Sequence, residues 1–384
     1  MKQGSVRITF FMGTDLRTGR GTENVLFNLL KYRPNDFDVT IVETDLLDIQ
    51  RIDDKDVSVY TEGCERIRIH RHVLRSKNFI YQSLVNIFFS PFKRDLRQAL
   101  KEGKLELIKK TDIAYLFFNG YSRFFKDLNI PVICTSHTFN LGNNFRNKLL
   151  NRLYTRINYI INFKYINGFH ALPKDELELQ KMDVKYRMVL PNGVNAEKFV
   201  PELLADTEKI KFLFVGALIK EKGLDLLIPL IEKVKEENVE FHIVGGGPME
   251  SEVRKNGRII YHGILSNEDL LKLYGSCDVF LYPSHSDAFP LVILEALSSG
   301  MYVLAGEYLK GSFDNFEEKY LEYLPMSVEA FYIRVEEIIA DRKIIEHDRY
   351  EEHRLVETNY DWRIISEKFY DFMRQFQRES STLK

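Results

Sequence analysis

The chain has 384 residues, 45% of them hydrophobic and 29% charged, with a net charge of −2. That length favours two domains over one core, and the composition excludes a disordered or fibrous protein. The three cysteines, Cys64, Cys134 and Cys277, form no CxxC pair and have no histidine cluster nearby, which argues against a disulfide framework or zinc site and fits a reducing compartment.

Residues 6–12, VRITFFM, read as a buried strand, too short for a signal-peptide core or a bilayer span. A glycine-rich turn, GTDLRTGRG, then leads into a helix over 22–32 with Thr22 as its N-cap. DVTIVET, IAYLFFN and PVICTSH are further strands lying between helical patterns. YRMVLPNGV ends in a turn at Pro191-Asn192-Gly193, and residues 195–209 read as a linker.

The second half restarts the alternation. KIKFLFVGAL, VEFHIVGGG, GRIIYHG, DVFLYPS and MYVLAG are strands; GLDLLIPLIEKVKEE, SNEDLLKLYGSC and PLVILEALSSG are helices. Continuous apolar strands of this kind belong to parallel sheets covered on both faces. The expected fold class is therefore α/β: two doubly wound, Rossmann-like parallel-sheet domains facing each other. GGGP at 245–248 is not GxGxxG and does not follow the first strand, so no nicotinamide site is expected.

The stretch SHSDAFPLVILEALSSG, 284–300, puts a turn in front of an apolar helix. Such a start exposes unpaired backbone N–H groups and the positive end of the macrodipole, which suits a diphosphate. The amides of Phe289, Leu291 and Val292 are the candidate donors; Pro290 has none but fits the first turn. On this stretch alone, Asp287 is equally well a capping acid and Glu295 a paired, half-buried glutamate.

FLFVGALIKEKGLDLLI, FHIVGGGPME, YHGILS, CDVFLYPSHSDAFPLVILEALSSGMYVLA and LPNGVNAEKF together resemble the retaining GT-B glycosyltransferases of family four. The resemblance covers the second half and is looser in the first. It implies a nucleotide-sugar domain over 196–360 and an acceptor domain over 1–195, against which a C-terminal helix over 361–384 packs back. It further implies that Asp287 faces the transferred sugar, Glu295 the ribose, and Lys222 the leaving diphosphate, with Gly216 and Gly263 also on the donor side. In the first domain Gly19 and Gly21 resemble the family's glycine loop, where the backbone comes close to the donor phosphates and the acceptor, and His137 lies where a histidine sits near the reacting sugar. His170 and Asn119 lie near other strand ends. Asp287 stands where glutamate is usual and Ala217 where arginine is usual, so donor preference and rate are both open; Lys220 is a candidate substitute for the arginine. DKD at 54–56 matches the metal-binding triplet of the other glycosyltransferase fold, but in RIDDKDVS it reads as a solvated loop. The expectation is a metal-independent hexosyltransferase without a cofactor.

Charge is unevenly distributed: residues 66–110 carry 12 basic and 3 acidic side chains, and residues 144–165 carry 5 basic and none acidic. The aromatics interleaved there, with Phe88, Phe89, Phe92 and Tyr159 as anchors, suit an anionic membrane surface; no nucleic-acid-binding motif accompanies them. The sequence therefore reads as a cytoplasmic, peripheral membrane enzyme moving a sugar from a nucleotide sugar to a glycan or lipid-linked acceptor. The alternatives are a GT-B sugar-nucleotide epimerase and a non-catalytic partner that binds nucleotide sugars.

Overall fold

The computed structural model describes residues 5–19, 21–46, 50, 52–70, 91–117, 122–125, 128–135, 163–180, 182–202, 209–316 and 319–381. The chain divides into two compact units, Met1–Leu190 with Ser366–Lys384, and Pro191–Ile365.

The first unit is built on seven strands: β1 (Val6–Phe11), β2 (Phe37–Thr44), β3 (Glu65–Ile69), β4 (Ile113–Leu116), β5 (Val132–Thr135), β6 (Gly168–Ala171) and β7 (Tyr186–Val189). They form one sheet in the order β3-β2-β1-β4-β5-β6-β7, parallel at every pairing. The central strands are buried along their whole length, as apolar runs covered on both faces must be. Three strands lie outside the sequence expectation, among them β7, where the sequence marked only the turn that follows. β6 is only four residues long, and β3 reads ERIRI because it is an edge strand with one polar face.

Two local expectations change. The first helix runs Gly21–Lys31, so Thr22 sits inside it rather than capping it, and its hydroxyl donates to Glu23. The DKD triplet forms the first turn of a helix, Asp54–Tyr60, not a loop; acidic residues are favoured at that end of a helix dipole.

The last helix, Trp362–Ser381, supplies Phe369, Tyr370, Met373 and Phe376 to the interior. Phe369 stacks on Phe10 with centroids 6.2 Å apart, and the Tyr370 hydroxyl donates to the Leu29 carbonyl at 3.0 Å.

The second unit holds six strands: β8 (Ile210–Val215), β9 (Val239–Val244), β10 (Ile259–Gly263), β11 (Val279–Tyr282), β12 (Tyr302–Gly306) and β13 (Leu321–Leu324). They pair in parallel in the order β10-β9-β8-β11-β12-β13; β13 too lies outside the sequence expectation. Residues from Pro191 belong here because the Val194 amide donates to Tyr360 at 2.8 Å and the Trp362 amide returns a bond to Val194 at 3.1 Å. Gly193 rests on the Trp362 ring so closely that a Cβ would lie 2.7 Å from it. In this sheet the strand order reverses between β8 and β11, the kind of place where doubly wound folds open a ligand crevice beyond the strand C-termini.

Candidate active site

The loops leaving β8 and β11 meet at that reversal. After β11, the His285 amide and the Ser284 hydroxyl both donate to the Glu221 carbonyl, at 2.9 and 3.1 Å. Gly223 has φ +85°, and a Cβ there would stand 1.9 Å from the Pro283 carbonyl oxygen. Only glycine permits this approach. It carries Lys222 onto the second loop, where its ammonium pairs with the Asp287 carboxylate.

The Tyr282 hydroxyl donates to the same Asp287 oxygen at 2.8 Å. Burial, and then the neighbouring Asp287 charge, push the Tyr282 phenol well above its ordinary value, so it remains a donor.

Behind Lys222 the backbone is packed tightly. The Gly216 amide donates to Val244, the Leu218 amide to Gly246, and the Gly245 amide to Gly263. A Cβ on Gly245, whose φ is +137°, would meet the Gly216 carbonyl oxygen at 1.8 Å. Gly263 has φ +69° and open space where a Cβ would be. Gly216 and Gly263 thus join one glycine-lined floor. Ala217 sits in this turn without a charge, and the exposed Lys220 lies within electrostatic reach of Glu252.

The helix Leu291–Ser298 starts behind Pro290 with no side-chain cap, so its leading amides, Leu291 and Val292, point ahead of the first intrahelical bonds. Phe289 is buried against Phe313, centroids 4.6 Å apart, which fixes the entry to the helix. One turn in, the partly buried Glu295 accepts a 2.9 Å hydrogen bond from the Tyr274 hydroxyl. Loss of water around its carboxyl pushes its pKa up to about 7, which the Tyr274 hydrogen bond only partly offsets. Tyr274 and Tyr282 escape a reading of the sequence, where each looks like an ordinary core aromatic.

In the first unit, Gly19 ends a 3-10 turn at φ +54°, a conformation that favours glycine. Gly21 has open space around the Cβ position. His170 is not exposed to any ligand: it is buried, contacts the Tyr115 hydroxyl through Nδ1 at 2.6 Å and donates from Nε2 to the Leu190 carbonyl at 2.9 Å. Its role is structural. His137 and Asn119 lie outside the described residues, as do Phe88, Phe89 and Tyr159; the side chains of Phe92 and Lys93 do too. Among the described residues no group of His, Cys, Asp or Glu is arranged to hold a metal, and no helix is long and apolar enough to cross a membrane.

Two all-parallel, doubly wound units, with a Lys–Asp pair and an uncapped helix at the second unit's strand reversal, define a GT-B fold. Residues 195–358 match the family model for glycosyl transferases group 1, and the second unit belongs to that family. The chain is 32% identical over 126 residues to sulfoquinovosyl transferase SQD2 of Arabidopsis thaliana, covering 29% of this chain and 24% of that protein. It is 25% identical over 229 residues to the phosphatidylinositol N-acetylglucosaminyltransferase GPI3 subunit of Saccharomyces cerevisiae, covering 54% of this chain and 50% of the relative. The chain thus spans about half or less of the length of these relatives. Among solved structures, sucrose-phosphate synthase from Thermosynechococcus elongatus superposes with a TM-score of 0.72 at 17% identity, covering 96% of this chain and 98% of that one. HepE of Anabaena in complex with UDP gives 0.71 at 12% identity, covering 96% and 100%.

Proposed function

We propose that the chain is a retaining glycosyltransferase that moves a hexose from a nucleoside diphosphate sugar to a lipid-linked or glycan acceptor. The observation that carries this reading is the convergence of Lys222, Asp287 and Tyr282 beside the uncapped helix Leu291–Ser298, with Glu295 one turn further in. Each feature meets one part of such a donor. The amides of Leu291 and Val292, with that of Phe289, accept the diphosphate at the positive end of the helix. Lys222 neutralises the charge that grows on the leaving diphosphate. Asp287 takes the hydroxyls of the transferred sugar, and Glu295 the ribose hydroxyls.

Lys222 and Asp287 neutralise each other, so donor binding exchanges one ion pair for two substrate contacts. Charge compensation by Lys222 and the helix amides supports a reaction without a metal. Gly19 and Gly21 are the proposed loop that approaches both the donor phosphates and the acceptor, His137 the proposed group beside the reacting sugar, and the basic first unit the part that works at an anionic membrane face.

The test is incubation with a panel of UDP-sugars and vesicles containing phosphatidylinositol, with the product anomer read by NMR. A glycosylated product of unchanged anomeric configuration supports the proposal. Release of free epimerised sugar nucleotide, or binding without any product, overturns it.

A further inference from the structure

At the C-terminal ends of β2 and β3, a cleft of about 440 Å³ in the first unit is lined by Glu43, Asp54, Lys55, Ser58, Arg66 and Arg68. Every one of these side chains is polar. Arg66 and Arg68 are two residues apart on β3, so both project from one face of the edge strand. Glu43, paired in register with Arg68, is buried beneath them. One of its carboxylate oxygens accepts from Arg66 at 2.8 Å and from Arg68 at 3.4 Å, and the other accepts the Leu16 amide at 3.0 Å. Glu43 is therefore committed to the floor, where it holds the two guanidiniums side by side and ties them to the turn that leads to Gly19.

Asp54 behaves differently. Its side chain is 57% exposed and lies 3.6 Å from Arg66 and 3.7 Å from Arg68. Those distances exceed hydrogen-bond length, and an exposed pair so spaced is weak. A carboxylate that bridges two guanidiniums without bonding either marks the position an anion would take. Lys55, the next residue on the same helix, brings a third positive charge to the rim, and among the described residues it makes no ion pair. Ser58 adds no donor, because its hydroxyl is spent on the Asp54 carbonyl at 2.8 Å.

We propose that this cleft binds a phosphate group, with Arg66 and Arg68 as the planar donors and Lys55 as the point charge, Asp54 swinging aside. Guanidinium forks match phosphate geometry bidentately, and an ammonium adds charge without directionality. The assignment of that phosphate to the acceptor rests on the glycosyltransferase reading above; the anion site itself does not.

The probe is glycerol 3-phosphate, titrated calorimetrically into the whole chain against sodium chloride of equal ionic strength. Saturable binding is expected. Lys55→Gln and Arg68→Gln should each weaken it at least several-fold, and Asp54→Asn should tighten it several-fold, the change opposite to that of losing a structural ion pair. Arg66 is left intact because its Nε and Nη2 both donate to buried Glu43, at 3.2 and 2.8 Å, whereas Arg68 reaches that carboxylate only at 3.4 Å. Water-soluble dihexanoyl phosphatidylinositol forms the second arm: tighter binding than glycerol 3-phosphate identifies a lipid headgroup as the source, and equal binding a soluble phosphate ester. UDP affinity, measured on the same variants, should not change, so a failure of the donor site is read separately. Binding no stronger than the salt control, or affinity indifferent to Asp54→Asn and Lys55→Gln, overturns the proposal.

Discussion

The Tyr274 hydroxyl stands 2.9 Å from one oxygen of Glu295 and donates to a carboxyl whose pKa is pushed up to about 7. Folding therefore holds a proton on Glu295 that the unfolded chain releases near its ordinary value of 4.5. Stability contributed by this group is complete below that value and is lost as pH rises towards 7. Glu295→Gln should thus stabilise the fold by up to about 3 kcal/mol relative to the parent at pH 8 and change it little at pH 4. Thermal unfolding at the two pH values checks the sign.

The same substitution should weaken the donor site. A charge-assisted hydrogen bond contributes on the order of 1.5–3 kcal/mol, so UDP affinity should fall at least several-fold at pH 8, with the parent–variant gap narrowing below pH 7. Calorimetry that finds equal affinities at pH 8 would remove Glu295 from the ribose.

Lys222→Ala should lower kcat more than it raises the donor Kd, because charge on the leaving diphosphate grows as the bond breaks. Steady-state kinetics alongside direct binding separate the two; equal losses would reduce Lys222 to an anchor. Ala217→Arg is the companion change, and if it leaves turnover unaltered the uncharged turn is no handicap.

Tyr282→Phe removes a donor from the Asp287 oxygen that Lys222 also meets while keeping the ring that packs near Phe280 and Phe214. Turnover with the sugar nucleotide should fall several-fold, while UDP, which has no transferred sugar, should bind as before. An equal loss of UDP affinity would place Asp287 at the nucleotide instead.

At a membrane, each basic residue contributes roughly 1 kcal/mol near an anionic surface, screened within about a Debye length. Co-sedimentation should therefore depend on anionic lipid and weaken at high salt, and reversing Lys93, Arg94 and Arg97 to glutamate should reduce it. Arg94 and Arg97 are exposed on the helix Pro91–Lys101 while Leu96 and Ala99 are buried. Binding indifferent to lipid charge would leave a soluble acceptor.

The parts of the fold that were legible are those where one physical demand dominates the residue choice. FLFV, VFLY and YVLA are apolar on both faces, short and rich in β-branched and aromatic residues, the pattern of central parallel strands. The helix after Pro290 was legible for the same reason. β3 was not, because Arg66 and Arg68 alternate with isoleucine on an edge, where charge is tolerated, so the strand reads as part of a basic segment. The hydroxyls of Tyr274 and Tyr282 were illegible because a buried tyrosine and a buried phenylalanine occupy a strand or helix alike; only the carboxylates facing them tell the two apart. Gly223 gave no signal that its neighbour would be Pro283, sixty residues on.

The return of the last helix to the first unit sets an order of events during synthesis. The second unit is one continuous stretch, Pro191–Ile365, whereas the first needs Ser366 onward to complete it. Phe369, Tyr370 and Phe376 close an interior whose other walls were made more than 150 residues earlier. Until those residues are made, the first unit exposes the sheet face that Phe10 and Phe37 line, which makes the nascent first half a natural client for chaperones that hold apolar surface.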